Sequence, residues 1–235
     1  MRTHRREQKH AGTIFEKMRS HNKIYSVEML GKCIPVLPGV FSPKYVSDVA
    51  WFAREVPKIV KRGSFLEIGT GTGVIALFVG LHESTSVMAT DISAVAVKNA
   101  KKTFRLHKVH IPVRRGSVFE PIKKNEKFDV IFWNHPFHSS KKVKSMLERG
   151  GHDYQYKSLR AFFEDAKKHL TKNGEVMLGT SKNADLKKIR EFSRQYGYLM
   201  RLLKQATIPS INRKGIQIDV RIYGFRPIKK LIGGR

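Results

Sequence analysis

Apolar residues recur along the chain in two alternating rhythms. Residues 44–62 set Val46, Val49, Ala50, Phe52, Ala53, Val56, Ile59 and Val60 at helical spacing, with Lys58, Lys61 and Arg62 on the opposite face. Short apolar runs then alternate with helical patterns. Residues 64–69, 86–92, 111–117, 128–134 and 175–181 read as buried strands, and residues 74–82, 93–106, 155–171 and 183–196 as helices. The run FDVIFWN at 128–134 is apolar enough for the centre of a parallel sheet. Lys172-Asn173-Gly174 supplies a stop for the helix before it, and Gly197 for the last helix. Two β-rich runs close the chain, 198–208 and 216–226, and the turn-forming stretch 209–215 makes them an antiparallel pair. Strands alternating with helices and ending in a hairpin predict an α/β chain. The expected fold is a Rossmann-like, doubly wound, mostly parallel seven-stranded sheet with an antiparallel C-terminal strand. Residues 1–33 are basic and weakly periodic, and residues 34–43 are an extended loop punctuated by Pro and Gly. The expected organisation is a basic N-terminal arm over 1–33 and one domain over 34–235.

Charge changes the picture more than composition does. Lys and Arg number 46 against 19 acids, a formal net charge of +27 in 235 residues. Such an imbalance concerns partners rather than fold, and points to a polyanion, nucleic acid above all. The cations concentrate at Lys101, Lys102, Arg105, Lys108, Arg114 and Arg115. They gather again at Lys141, Lys142, Lys144 and Arg149, and at Arg213, Lys214, Arg221, Arg226, Lys229, Lys230 and Arg235. No apolar run approaches 20 residues and no lipidation signal is present, which argues against a membrane partner. The one cysteine, Cys33, rules out an intramolecular disulfide and is expected to be a small buried apolar group. The N-terminus lacks the apolar stretch of a secretory signal, so a cytoplasmic location is expected.

Two loops carry candidate chemistry. The first βα turn reads Glu67-Ile68-Gly69-Thr70-Gly71-Thr72-Gly73. Glycines there let the backbone turn tightly and approach a ligand closely. The dinucleotide spacing is not met, because the third glycine comes one residue early, and no Gly-Lys-Ser/Thr follows for a phosphate loop. The fourth strand ends in Asn134-His135-Pro136-Phe137. An exocyclic amine or amide nitrogen is a poor nucleophile because its lone pair is delocalised. The Asn134 side-chain carbonyl and the His135 backbone carbonyl can each accept one N–H and turn that lone pair toward an electrophile. An aromatic ring at Phe137 can stack on the planar group, while Pro136 stiffens the loop. His135 and His138 come without a third ligand, so no metal is expected. The plain alternatives are an ordinary glycine turn, and a loop in which Asn134 caps and Phe137 packs.

The Glu-x-Gly-x-Gly-x-Gly turn resembles motif I of the Rossmann-like methyltransferases, and Asn134–Phe137 resembles the Asn-Pro-Pro-Tyr/Phe motif of amino-methyltransferases, with His135 in place of proline. Leu37–Ser42, Asp91–Val97, and Ser117–Glu120 leading to Phe128–Ile131 and the Asn134 loop extend the likeness over roughly residues 34–181. The chain resembles the catalytic domain of the bacterial ribosomal RNA guanine-N2 methyltransferases, the methyltransferase small domain group. The resemblance implies S-adenosylmethionine as cofactor, leaving as S-adenosylhomocysteine. Phe41 would stand near its methionine end, and Glu67, Gly69, Thr70, Gly71 and Gly73 along it. Asp91 and Ile92 would meet the ribose, Ser117 and Val118 the adenine, and Asn134–Phe137 the target amine. Release-factor glutamine methyltransferases share the small domain and the Asn-x-Pro motif, and Gly150-Gly151-His152-Asp153 is similar to that group. Adenine-N6 enzymes are a third possibility, and a non-catalytic RNA-binding module a fourth.

Overall fold

The protein is seen here as a computed structural model that describes residues 13–82, 85–140, 143 and 145–228. Seven strands form the central sheet: β3 (Gly63–Ile68), β4 (Thr85–Asp91), β5 (Val113–Arg115), β6 (Phe128–Asn134), β9 (Leu170–Thr180), β10 (Tyr198–Pro209) and β11 (Gln217–Pro227). Their spatial order is β10-β11-β9-β6-β3-β4-β5. The five from β9 to β5 are parallel, and β11 pairs antiparallel with both β9 and β10. The order reverses between β3 and β6, so the crevice beyond their carboxyl ends is where such a sheet takes a ligand.

Helices cover both faces. α2 (Asp48–Val60), α3 (Val74–Gly80) and α4 (Ala94–Leu106) bury Phe52, Val56, Leu77 and Phe104 against Phe65, Val87 and Phe132. On the other face α6 (Lys157–Asp165) and α7 (Leu186–Gln195) pack Phe162, Phe163 and Phe192 against Leu66, Ile131, Leu178 and Phe225. Alternate residues of β6 feed the two layers, Phe132 one and Ile131 and Trp133 the other, because successive side chains of a strand face opposite ways. Two short strands, β7 (His138–Ser140) and β8 (His152–Tyr154), pair beside the loop that ends β6, with the one-turn α5 (Met146–Arg149) between them.

Three expectations change. Residues 13–19 are helical (α1), and β1 (Tyr25–Met29) and β2 (Lys32–Val36) form an antiparallel hairpin across the expected 33/34 boundary; residues 1–12 of the expected arm lie outside the described residues. Met29 and Ile34 of the hairpin join the main core, while Phe15 and Met18 of α1 pack on Leu147. Cys33 is exposed rather than buried, its side chain on the opposite face of β2 from the buried Ile34. Lys172-Asn173-Gly174 does not end a helix. α6 stops at Asp165, a 3-10 turn runs over Ala166–His169, and those three residues lie in β9. There the pairing with β6 jumps from Phe128↔Leu170 to Val130↔Glu175, so the polar stretch bulges at the edge of the ladder instead of capping.

Candidate active site

The turn after β3 is fixed by the groups around it. Gly69, Gly71 and Gly73 have φ of +64°, +58° and +85°. A Cβ at Gly73 would stand 3.0 Å from the Phe104 ring and 3.2 Å from the Ala100 backbone, so both conformation and space demand glycine there. Asp91, at the end of β4, accepts Gly71 N–H and Ser93 N–H, each at 2.8 Å, on its two carboxylate oxygens. Burial pushes its carboxyl above the ordinary carboxylate range despite those bonds. Asn99 on α4 is fully buried. Its Oδ1 accepts Leu37 N–H at 2.7 Å and its Nδ2 donates to Pro35 O at 2.8 Å, which ties the segment before Phe41 to the glycine turn through Thr103 Oγ1 and Thr72 O. Sequence reading missed Asn99; the signal was a polar residue on the apolar face of the pattern 94–106.

A cavity of about 500 Å³ opens over this turn, within the range of small-molecule sites. Its lining includes Phe41, Glu67, Gly69, Thr70, Gly71, Asp91, Ile92, Ser117, Val118, Asn134 and Pro136. Gly73 packs behind the turn against Phe104 instead. Val118 holds a φ of +46°, an unusual conformation for a β-branched residue, where the chain turns along the wall.

The acids of this cavity specify its ligand. Glu67 Oε2 accepts Thr70 Oγ1–H at 2.6 Å and Ala76 N–H at 3.0 Å. It therefore occupies the N-terminus of α3, the place where a pyrophosphate would bind in a dinucleotide fold. Burial and the nearby Asp91 push Glu67 up to about 8. With Glu67 filling that helix start a diphosphate is displaced, while Asp91 keeps lone pairs for ribose hydroxyls. S-adenosylmethionine, a sulfonium without phosphate, is the cofactor that these residues fit.

A second, smaller cavity of about 160 Å³ adjoins the first, and Phe41, Asn134, Gly150 and His152 line both. Phe137, His135 and Asp48 complete the smaller one, with Phe15 from α1. Asn134 Nδ2 donates to Asp48 Oδ2 at 3.3 Å, which fixes the orientation of the amide. Asn134 Oδ1 is then buried without a hydrogen-bond partner. A buried, unmatched acceptor destabilises the folded chain, and here it stands where the two cavities meet. Asp48, in the first turn of α2, was not singled out from the sequence, where it reads as an ordinary helix-start acid. The Gly150–Asp153 segment is structural support. The Phe41 ring lies on Gly150, where a Cβ would come within 2.6 Å of it, and Asp153 accepts the Ser158 and Leu159 N–H groups at the start of α6.

His135 is packed rather than reactive. Its Nε2 lies 3.1 Å from Thr180 Oγ1, and its ring meets the Trp133 and Phe137 rings edge-on. Burial, with a smaller contribution from His138, lowers it to about 4, so it is neutral at physiological pH. The unfolded chain binds the proton more readily between pH 6.5 and 4. Stability from this group is thus complete above 6.5 and falls as pH drops toward 4. Relative to His135→Gln, wild type is expected to lose on the order of 2–3 kcal/mol across that window in paired urea titrations. Parallel losses in both proteins would contradict the assignment. Among the described residues no group of three or more His, Cys, Asp or Glu is placed to hold a metal ion, and no helix is long and apolar enough to cross a membrane.

The comparisons with known proteins bear on the family of the chain and on its fold. Residues 33–208 match the family model "Methyltransferase small domain". The ribosomal RNA small subunit methyltransferase C of Mannheimia succiniciproducens is 32% identical over 158 residues, 66% of this chain and 44% of that protein. This chain thus spans less than half the length of that relative. A Methanocaldococcus jannaschii protein provisionally named a protein N5-glutamine methyltransferase is 30% identical over 158 residues, 65% of this chain and 77% of that one. Among solved structures, a T. thermophilus 16S rRNA N2 methyltransferase in complex with AdoMet and guanosine superposes with a TM-score of 0.64 at 18% identity, over 87% of this chain and 50% of that one. With the family match running from β2 into β10, the chain belongs to the methyltransferase small domain family.

Proposed function

We propose that this protein transfers a methyl group from S-adenosylmethionine to the exocyclic N2 of a guanine in ribosomal RNA. The observation that carries the reading is Asn134 Oδ1, a buried acceptor without a partner, where the cofactor-sized cavity meets the smaller one. When bound, the sulfonium supplies an electrophilic methyl carbon. Asn134 Oδ1 accepts one N–H of the target amine, the His135 backbone carbonyl accepts the other, and the Phe137 ring stacks on the base. Asp48 keeps the Asn134 amide from turning its N–H toward the amine. Acceleration comes from positioning and from a dry, oriented acceptor rather than from a strong base, in keeping with a neutral His135. A base in a paired region has to leave its stack to reach the pocket.

RNA as the substrate is supported by the net charge of +27 and by the relative named as a ribosomal RNA methyltransferase. This reading places the protein in the cytoplasm with its substrate. Arg114 and Arg221 contribute less to RNA binding than sequence grouping implied, since Glu126 and Asp219 already engage them. A second reading, protein glutamine N5-methylation, is favoured by the M. jannaschii relative, of which this chain covers 77%. The two are separated by incubating the protein and labelled S-adenosylmethionine with unmodified small-subunit ribosomal RNA made by transcription and, separately, with a Gly-Gly-Gln peptide. Label in RNA is expected; label in the peptide alone would replace the first reading with the second.

A further inference from the structure

The last hairpin is longer than the sheet it completes. β9 ends at Thr180, which pairs with Arg221 of β11. The preceding residues of β11, Gln217–Val220, pair only with Ala206–Pro209 of β10. Because β9 runs parallel to β3 and β6, this overhang projects past the carboxyl edge of the sheet, the edge that holds both cavities. The projecting arm is anchored rather than loose. Ile211 N–H donates to Ser47 Oγ at 2.9 Å and Asn212 Nδ2 donates to Tyr45 O. Its tip therefore rests on the residues directly before Asp48, at the wall of the smaller cavity.

An aromatic and cationic surface lies beside that anchor. The His21 and Tyr25 rings stack with centroids 4.0 Å apart, and His21 Nε2 meets Tyr45 OH. Lys44 Nζ stands 5.6 Å from the Tyr25 ring centroid and 5.7 Å from that of Tyr45. Lys44, Arg213 and Lys214 are exposed, and so are Ile211 and Ile216 of the tip. The arm's acid, Asp219, is already held by Arg221 and by the Lys182 N–H. Cations beside half-buried rings have the chemistry of a platform for single-stranded nucleic acid, where phosphates meet the charges and unstacked bases meet aromatic groups.

We propose that the β10–β11 arm, together with the His21–Tyr25–Tyr45 stack, docks the RNA strand flanking the target base, with Lys44, Arg213 and Lys214 on its phosphates. This inference rests on the RNA reading. It adds the path by which the strand reaches the pocket.

The test compares the full-length wild type with a Lys44→Ala/Arg213→Ala/Lys214→Ala variant and a charge-matched Lys101→Ala/Lys102→Ala/Arg105→Ala variant on α4. Methylation of the transcribed small-subunit RNA is followed over a range of KCl concentrations. The arm variant is expected to raise KM for RNA about tenfold or more, with kcat and cofactor Kd within about twofold of wild type. Its log KM against log salt should be shallower by about 2, at roughly 0.7 per lost phosphate contact. An unchanged KM, or an equal rise in the α4 variant, would overturn the inference while leaving RNA methylation standing. Wild type that labels the peptide and no RNA would remove both.

Discussion

Replacing Asn134 with alanine is expected to lower kcat by about a thousandfold, on the order of 4 kcal/mol of transition-state stabilisation, while cofactor Kd stays within about twofold of wild type. The expectation follows from geometry. The amide is held by Asp48 with its oxygen left unmatched, and the proposed reaction gives that oxygen a partner in the target amine. The substitution removes an unmatched acceptor but also the Nδ2–H that Asp48 accepts, so its two effects on stability oppose each other. Single-turnover kinetics with calorimetric cofactor titration separate turnover from cofactor binding. Loss of cofactor affinity in step with kcat would show that Asn134 belongs to the cofactor site instead.

Asp91→Ala should do the reverse. The carboxylate holds the glycine turn through Gly71 N–H and the start of α4 through Ser93 N–H, with its remaining lone pairs available to ribose hydroxyls. Hydrogen bonds to a charged group contribute about 1.5–3 kcal/mol each, so cofactor Kd is expected to rise about a hundredfold. At saturating cofactor much of kcat should return, since the proposed reaction gives Asp91 no part in holding the target amine. Calorimetry with S-adenosylhomocysteine measures the change. A Kd within twofold of wild type would exclude Asp91 as a cofactor ligand.

What could be read in advance followed the reach of each signal. β6 stood out because a central parallel strand is covered on both faces and its run of apolar residues is nearly continuous. The glycine turn and Asp91 were legible because close backbone approach restricts residue type. The β1–β2 hairpin was not, since Tyr25-Ser26-Val27-Glu28-Met29 alternates for only five residues within a basic stretch. Lys172-Asn173-Gly174 misled because the same polar and glycine residues that end helices also form bulges at a sheet's edge. Asp48 was invisible for a different reason. Its partner Asn134 is 86 positions away, and only the folded chain brings the two to one cavity wall.

In the proposed reaction the loop ending β6 presents an acceptor to a nitrogen that carries hydrogen. Nucleoside analysis by mass spectrometry of transcribed small-subunit RNA, after reaction with methyl-labelled S-adenosylmethionine, tests it most directly. N2-methylguanosine is the expected product. A methyl group on a ribose oxygen or a ring carbon would contradict it, because neither atom offers Asn134 an N–H to hold.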